Sequence, residues 1–364
     1  MAGALLVIQA CSPGGMERKN DNGQAVPRNI VLMIGDGMGP TQVSAAIIAN
    51  GNRLNIERCT YAGYSKTSSA DNLITDSAAG GTALATGKKT NNSVLGLDAQ
   101  GERAVSILEI AEQNGKMTGL LVTSSITHAT PASFYAHQPS RKLDENIAMD
   151  LLSSDVDLFM GGGKRFFAER SDSLNLIDSL KARNYHIARD VTDIPESASK
   201  VGLFIAKGQP KSVLEGRGDF LPQATEAALN FLKNSETGFF LMIEGSQIDW
   251  GGHSNNFEQV LAEMKDFDDA IGKVLDFAEK DGSTLVVITA DHETGGLTIP
   301  AGKRDGSEMQ ANFSSTNHTP TMVPVFAYGP GAELFTGIME NTEIFNKMLK
   351  AWKAEVATGQ VAQK

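Results

Sequence analysis

Short apolar runs alternate with longer amphipathic stretches along almost the whole chain. The apolar runs have the length of β-strands and lie at residues 29–34, 118–123, 157–160, 201–206, 239–244, 284–290 and 323–328. The amphipathic stretches place apolar residues at helical spacing and lie at residues 104–114, 174–184, 223–234 and 255–280. Strands that alternate with helices in this way form βαβ units. We therefore predict a doubly wound α/β fold, in which helices cover both faces of a mainly parallel central sheet.

The chain between these runs contains neither a linker rich in Pro, Gly and Ser nor a repeat of fixed period, which predicts a single domain over residues 27–364. Residues 1–26 have a different character. An apolar segment precedes Cys11 and a polar stretch follows it, as at the end of a bacterial lipoprotein signal, although the basic region of such a signal is absent. This segment predicts export to the periplasm or the outer surface, with a lipid anchor at Cys11. The alternative is a plain disordered N-terminus.

Acidic residues outnumber basic ones by 43 to 32, and the formal net charge is -11. A basic groove for nucleic acid is therefore not expected, although a local positive site for an anion is compatible with this charge. The two cysteines, Cys11 and Cys59, are too few for a disulfide framework, and neither has the spacing of a zinc finger. Any chemistry must therefore come from other residue types.

Asp249 and His253 stand four positions apart, just after a strand-like run. On a helical turn these two positions share one face, so both side chains can reach one metal ion. Asp36 and the pair Asp291 and His292 follow two other strand-like runs. Because ligands of open α/β sheets bind beyond the carboxyl ends of the strands, we predict a composite metal site and an active site at this edge.

Four of the six histidines, at positions 128, 253, 292 and 318, lie in loops just past predicted strands or beside Asp or Thr. A single histidine in such a place is more often a structural residue than a ligand. His253 and His292, however, each lie within four residues of an aspartate, which favours zinc ligation. With no cysteine nearby, the pattern indicates a catalytic zinc site rather than a structural one.

Asp76 and Ser77 precede a run of small residues compatible with a helix. In one reading they are ordinary residues of a helix N-terminus, where Asp and Ser are favoured caps. In the other reading Ser77 is a nucleophile, placed where free N–H groups and the helix dipole favour a bound phosphate. The residues alone leave both readings open, and Arg141 taken alone fits an ordinary surface position.

Three common active-site motifs are not matched. The segment 81–89 resembles a phosphate-binding loop but has five residues between its glycines instead of four, and Lys89 replaces the Ser or Thr that would hold magnesium. The glycines of segment 35–39 are misplaced for a dinucleotide-binding turn. No serine stands in a Gly-x-Ser-x-Gly motif, which argues against an α/β-hydrolase triad.

Taken together, several motifs resemble those of the alkaline phosphatase family over roughly residues 29–345. In chain order they are Ile34–Gly39, Thr75–Ala79, Thr127–Pro131 with Arg141, Met160–Gly163, Glu244–Asp249 with His253, Thr289–His292 and Asn317–Thr319. Each motif alone is moderately specific, whereas their joint order is highly specific. The resemblance implies metal-dependent hydrolysis of phosphate monoesters, with a broad substrate range and a phosphoserine intermediate.

The resemblance also implies a role for each site residue. Two zinc ions would be bound, the first by Asp249, His253 and His318, and the second by Asp36, Asp291 and His292. A third ion, Mg²⁺ or Zn²⁺, would share Asp36 and add Thr130 and Glu244. Ser77 would be the nucleophile and Arg141 would grip two phosphoryl oxygens, with His128 and Trp250 beside the substrate.

Two positions depart from the pattern of the enteric bacterial members, which have an aspartate in place of His128 and a lysine in place of Trp250. His128 leaves the identity of the third metal open. His292 and His318 lie close in sequence, so the insertion around residues 293–317 should be short, and the homodimer expected by resemblance should have a reduced interface. The alternatives are a phosphodiesterase or another hydrolase of the superfamily, and a lipoprotein that binds phosphate or metal without turnover.

Overall fold

The computed structural model of the protein describes residues 26–195 and 197–353, so Cys11 and its predicted signal lie outside the described residues. The strands of the described part are β1 Asn29–Gly35, β2 Tyr61–Lys66, β3 Met117–Ser125, β4 Leu158–Gly162, β5 Tyr185–Ala188, β6 Lys200–Phe204, β7 Phe239–Gly245, β8 Thr284–Thr289, β9 Glu293–Thr294, β10 Leu297–Ala301, β11 Gln310–Phe313, β12 His318–Thr319, β13 Val323–Tyr328 and β14 Gly337–Glu340. Its helices are α1 Pro40–Ala49, α2 Ser77–Thr86, α3 Ile107–Gln113, α4 Ala129–Ala132, α5 Asp144–Ser153, α6 Arg165–Ala168, α7 Leu176–Ala182, α8 Phe220–Leu232, α9 Ile248–His253, α10 Phe257–Asp281 and α11 Asn341–Trp352. No helix among these residues is long and apolar enough to cross a bilayer.

Ten strands form one sheet in the order β14-β2-β13-β8-β1-β7-β3-β4-β6-β5. The seven strands from β8 to β5 run parallel to one another, whereas β13 is antiparallel to both β8 and β2. The predicted α/β fold with a mainly parallel sheet is confirmed. All seven apolar runs are strands of this sheet. The pattern missed β2, β5 and β14, which are short strands at or near its edges.

Side chains of alternate residues in β1 point into two separate hydrophobic cores, one on each face of the sheet. Ile30, Leu32 and Ile34 belong to the core formed with α2, α3, α5, α7 and α11. Val31 and Met33 belong to the core formed with α1, α8 and α10. All five side chains are fully buried. Burial on both faces explains why the central strands are continuous apolar runs instead of alternating ones.

The register of the central strands places the ends of β1, β7 and β8 at one level. Ile34 of β1 pairs with Glu244 of β7 on one side and with Thr289 of β8 on the other. Asp36 and Asp291 each follow their strand by one or two residues. Parallel pairing therefore brings carboxylates from three distant parts of the chain to the same edge, as predicted.

The segment that follows β8 returns to this edge through two small antiparallel pairs. The strand β12 pairs with β9, with His318 opposite Thr294, which returns His318 to the neighbourhood of His292. Between them, β10 and β11 form a second two-stranded ladder. The predicted insertion at 293–317 therefore forms short antiparallel strands and leads back to the edge of the sheet where the candidate metal ligands lie.

The loop before α8 is fixed to α10 by a buried ion triad. Arg217 ends a π-helical turn, Val213–Arg217, and its Nη2 lies 2.5 Å from an oxygen of Glu263 and 2.7 Å from an oxygen of Asp266. At most 6% of each of these three side chains is exposed. Removing one partner from a buried ion network is costly because the remaining charges stay buried without compensation.

Replacing the cation of this triad should destabilise the protein. We expect Arg217→Met to lower the free energy of unfolding by about 3 kcal/mol, because two carboxylates remain buried beside each other. Lys265→Met is the control: it removes an exposed pair with Asp269 on the same helix, and should cost about 0.5 kcal/mol or less. Urea unfolding of the metal-loaded variants measures both, and equal losses would contradict the expectation.

Candidate metal and phosphate site

The first group of potential ligands is Asp249, His253 and His318. Asp249 lies in the first turn of α9 and His253 in its last, and their Oδ1 and Nε2 atoms are 3.3 Å apart. The Nε2 atom of His318 lies 3.5 Å from the same oxygen. Nδ1 of His253 lies at the backbone carbonyl of Thr316, and Nδ1 of His318 lies at that of Thr75. Because a carbonyl only accepts, each Nδ1 donates a hydrogen bond, and each Nε2 is left facing the carboxylate of Asp249. This is the arrangement of metal-binding histidines, in which the second nitrogen is held by another group.

The second group is Asp36, Asp291 and His292, and none of the three is exposed. Nε2 of His292 lies 3.3 Å from Asp36 and 3.2 Å from Asp291. Both oxygens of Asp36 and one of Asp291 have no hydrogen-bond partner among the described residues. Burial raises the pKa of Asp291 to about 6, and burial together with the charge of Asp291 raises the pKa of Asp36 well above its usual range. Carboxylates buried this close to one another could hold a cation, because a nearby positive charge would favour their ionised forms.

The third group is Asp36, His128 and Glu244, whose ligand atoms lie within 4.8 Å of one another. Thr130 lies on α4 nearby, and its hydroxyl has no partner among the described residues. Burial raises the pKa of Glu244 to about 7. Burial and the charge of Arg141 lower the pKa of His128 to about 3, so this imidazole is neutral at physiological pH. The geometry thus places His128 with the third group as well as beside Arg141 and Trp250.

Ser77 is the first residue of α2, and its hydroxyl lies 3.2 Å from Nε2 of His292. Asp76 caps the same helix by accepting a hydrogen bond from the backbone N–H of Ala79. The capping reading is confirmed for Asp76, while Ser77 faces the cluster of potential metal ligands and its role as a nucleophile stays a prediction. Free N–H groups of the helix N-terminus favour an anion at this position.

Arg141 is not an ordinary surface residue. Its Nη1 lies 3.1 Å from Oδ2 of Asp76, and its Nη2 lies 3.3 Å from Nε2 of His128. Trp250 stands edge-on to the ring of His128, with ring centroids 6.3 Å apart. The guanidinium is thereby held at Asp76, the residue before Ser77, and a guanidinium can bind two oxygens of a phosphoryl group.

The close approach of the backbone to α9 explains why a glycine, Gly37, follows Asp36. The φ of Gly37 is +77°, and a Cβ atom there would lie 2.7 Å from the Cα of Asp249. Only glycine allows this backbone to approach α9 so closely. The turn after β1 can therefore bring Asp36 against the ligand group carried by α9.

Comparison with known proteins gives the family. A family model described as alkaline phosphatase matches residues 27–312 and 303–354. The alkaline phosphatase of Escherichia coli (strain K12) is 31% identical over 429 residues, which cover 93% of this chain and 91% of that protein. Alkaline phosphatase 4 of Bacillus subtilis (strain 168) is 33% identical over 409 residues, which cover 90% of this chain and 89% of that protein. The chain belongs to the alkaline phosphatase family.

A solved relative is similar over nearly the same range. The structure of the alkaline phosphatase from the Antarctic bacterium TAB5 superposes with a TM-score of 0.88 at 45% identity, covering 92% of this chain and 100% of that one. A variant of that enzyme, in which one histidine is replaced by aspartate, is described with Mg bound in its M3 site. The resemblance stated from the motifs is confirmed, and so is the enzyme class. As a member of the alkaline phosphatase family, the protein is a hydrolase of phosphate monoesters.

All the site residues expected from the sequence lie at one edge of the sheet in this alkaline phosphatase fold. The sequence analysis did not identify two residues, Thr294 and Ser246, that form hydrogen bonds to them. Thr294 donates its hydroxyl to Oδ1 of Asp249 at 2.5 Å and lies 3.2 Å from Nδ1 of His292. Ser246 donates to Oε2 of Glu244 at 2.7 Å, which leaves Oε1 without a partner among the described residues. Each side chain orients a ligand. Each also lies two residues from a predicted ligand, which is the sequence signal that could have identified it.

The raised pKa values predict how pH affects the metal-free protein. Burial gives Glu244 a pKa of about 7, and the hydrogen bond to Asp249 raises the pKa of His253 to about 9. A group with a raised pKa binds its proton more tightly in the folded state, so its contribution to stability is lost as the pH rises through the folded pKa. The contribution of Glu244 should be lost between about pH 4.5 and 7 and that of His253 between about pH 6.5 and 9, so we expect chelator-treated protein to lose roughly 2 kcal/mol or more of stability between about pH 5 and 9.

Thermal unfolding at several pH values measures this slope. Protein loaded with zinc and magnesium should show little of it, because bound cations keep the carboxylates ionised throughout the range. Glu244→Gln is the matched control, since it keeps the shape of the side chain and removes one titrating group. A metal-free Glu244→Gln variant with the same slope as the parent would contradict the assignment.

Proposed function

We propose that the protein hydrolyses a broad range of phosphate monoesters through a covalent phosphoserine intermediate on Ser77. The observation that carries this proposal is the position of Ser77. Its hydroxyl lies at the N-terminus of a ten-residue helix and 3.2 Å from His292, with Arg141 held beside it by Asp76. A nucleophile, a phosphate-binding cation and a helix N-terminus thus converge on one point.

The ligand groups fit the metals of this family. Buried oxygens without a hydrogen-bond partner among the described residues belong to Asp36, Asp291, Glu244 and Thr130, and such atoms are suited to bind cations. Asp249, His253 and His318 would hold one zinc ion, and Asp36, Asp291 and His292 a second. The oxygen-rich set of Asp36, Thr130 and Glu244 would hold a third ion, with Mg²⁺ preferred. When bound, two such zinc ions stabilise the attacking and leaving oxygens of an in-line displacement.

The residues of the chain account for the rest of the reaction. The Ser77 oxygen forms a bond to phosphorus while the bond to the alcohol oxygen breaks, and the alcohol leaves with a proton. Arg141 binds two phosphoryl oxygens, and its ion pair with Asp76 fixes the direction of the guanidinium. Water then attacks the phosphoserine, which releases inorganic phosphate and restores the Ser77 hydroxyl. These contacts are to the phosphoryl group alone, which supports a broad range of alcohols.

Assembly and location follow from the resemblance and from the start of the chain. We infer that the protein acts outside the cytoplasm as a homodimer, with Cys11 as the site of a lipid anchor. Metabolic labelling with a fatty acid, compared between the parent and Cys11→Ala, tests the anchor directly. Unchanged labelling in the variant would contradict it.

Removing the Ser77 hydroxyl should abolish the covalent step. We expect Ser77→Ala to reduce kcat on p-nitrophenyl phosphate by about 10³-fold or more, since an activated nucleophile cannot be replaced by a methyl group. Labelled phosphate trapped on the parent protein at acidic pH should be absent from the variant, while its zinc content stays the same. Parental turnover by the zinc-loaded variant would refute the proposal, and bis-p-nitrophenyl phosphate as the better substrate would favour the phosphodiesterase alternative.

His128 should weaken the third site for Mg²⁺. Because its imidazole is neutral, replacing it with aspartate adds a negative charge beside Asp36 and Glu244. We expect His128→Asp to bind Mg²⁺ about 10-fold more tightly in the zinc-loaded protein. A histidine-to-aspartate variant of the TAB5 enzyme has Mg bound in its M3 site, which is compatible with this expectation. Titration calorimetry measures the affinity. His128→Asn is the uncharged control, and equal Mg²⁺ affinities for the two variants would contradict the argument.

A further inference from the structure

A tight turn at residues 91–93, in the loop between α2 and α3, contacts both sides of the phosphate-binding centre. It touches the segment 74–76, which leads into Ser77, and it touches the backbone of Arg141. None of its side chains belongs to the ligand groups or reaches the nucleophile.

The amide of Asn92 holds both ends of the segment 74–76. Its Oδ1 accepts a hydrogen bond from the backbone N–H of Asp76 at 3.0 Å, and its Nδ2 donates to the carbonyl of Ile74 at 3.0 Å. The carbonyl of Thr75, between these two contacts, accepts from Nδ1 of His318 at 2.8 Å. One side chain therefore fixes the backbone that carries the helix cap and a support for a metal-competent histidine.

Ser93 connects the same turn to Arg141. Its backbone N–H donates to Oδ2 of Asp76 at 3.0 Å, the oxygen that also pairs with the guanidinium. Its carbonyl accepts from the backbone N–H of Arg141 at 2.7 Å. Ser93 has a φ of +73°, a left-handed conformation that is unfavourable for a residue other than glycine. The strained backbone turns both polar groups of Ser93 towards Asp76 and Arg141.

We propose that the Asn92–Ser93 turn is a positioning element, which sets the distance between Ser77 and the guanidinium of Arg141 and thereby the affinity for the phosphoryl group. Asp76 is the shared part, because it caps the helix of the nucleophile and also pairs with Arg141. Loss of the Asn92 amide frees the segment 74–76, so the guanidinium is no longer held at a fixed distance from the nucleophile. The hydroxyl of Ser77 and the ligand groups keep their chemistry. The inference rests on the proposed roles of Ser77 and Arg141.

The test is a double-mutant cycle on the zinc- and magnesium-loaded protein. We expect Asn92→Ala to raise KM for p-nitrophenyl phosphate and the inhibition constant of inorganic phosphate about 10-fold, with kcat changed less than about 3-fold, because both hydrogen bonds of the Asn92 amide to the segment 74–76 are lost. In an Arg141→Ala background the same substitution should change neither constant by more than about 2-fold, since the group that it positions is gone. Asn72→Ala is the matched control, because Asn72 also contacts Ile74 but not Asp76. It should leave both constants near their parental values.

The outcomes separate this inference from the proposed function. If Arg141→Ala leaves phosphate affinity unchanged, the proposed clamp itself is wrong. If Arg141→Ala weakens binding but Asn92→Ala has no effect, or has the same effect in both backgrounds, the positioning role is wrong. Should Asn92→Ala not fold, Asn92→Ser, which keeps one hydrogen-bonding group, enters the same cycle. Failure of both variants to fold would overturn the proposal in favour of a purely structural turn.

Discussion

Negative charge buried at one edge of the sheet is the constraint on which the site and its chemistry depend. Asp36, Glu244, Asp249 and Asp291 lie together there, and none exposes more than 4% of its surface. Carboxylates this close and away from water are unfavourable unless protons or cations compensate them. Burial raises the pKa of three of them, whereas hydrogen bonds from His253 and His318 outweigh burial at Asp249 and hold its pKa low. Protonation, metal binding and stability are therefore linked at one place.

The central sheet holds these four carboxylates in fixed positions and offsets the unfavourable free energy of burying them. The strand β1 lies between β7 and β8, and helices cover both of its faces. A one-residue shift of its register would send each side chain into the opposite core, which is packed around different neighbours. The ends of the three strands are therefore held at fixed distances from one another. The stability of the two cores supports an edge that would be unfavourable by itself.

Polar side chains around the ligands determine which atoms face the centre. The hydroxyl of Ser246 occupies one oxygen of Glu244 and leaves the other free, and the carbonyl of Thr75 fixes the ring of His318. Thr294 stands between Asp249 and His292, so the two proposed zinc groups share a hydrogen-bonding neighbour. These contacts are typical of metal centres, where outer groups orient the ligands and adjust their basicity. The same principle extends to the phosphate-binding side, where Asp76 orients Arg141.

The sequence alone determined the central strands, the helices α3, α7, α8 and α10, and the place of the candidate ligands after their strands, but it did not predict α1, α5 or α11. A strand buried on both faces is an apolar run whatever its neighbours are, and Asp249 and His253 share a helical face because of local geometry. The edge strands β2, β5 and β14 escaped detection because half-exposed short strands carry no such pattern. The resemblance of motifs had already named Arg141, but only the tertiary structure showed that it pairs with Asp76 and that Thr294 and Ser246 donate to Asp249 and Glu244. The contacts of Arg141 with Asp76 and of Thr294 with Asp249 join residues far apart in the chain, and they exist only after β1, β3, β7 and β8 have paired and brought their loops to one edge.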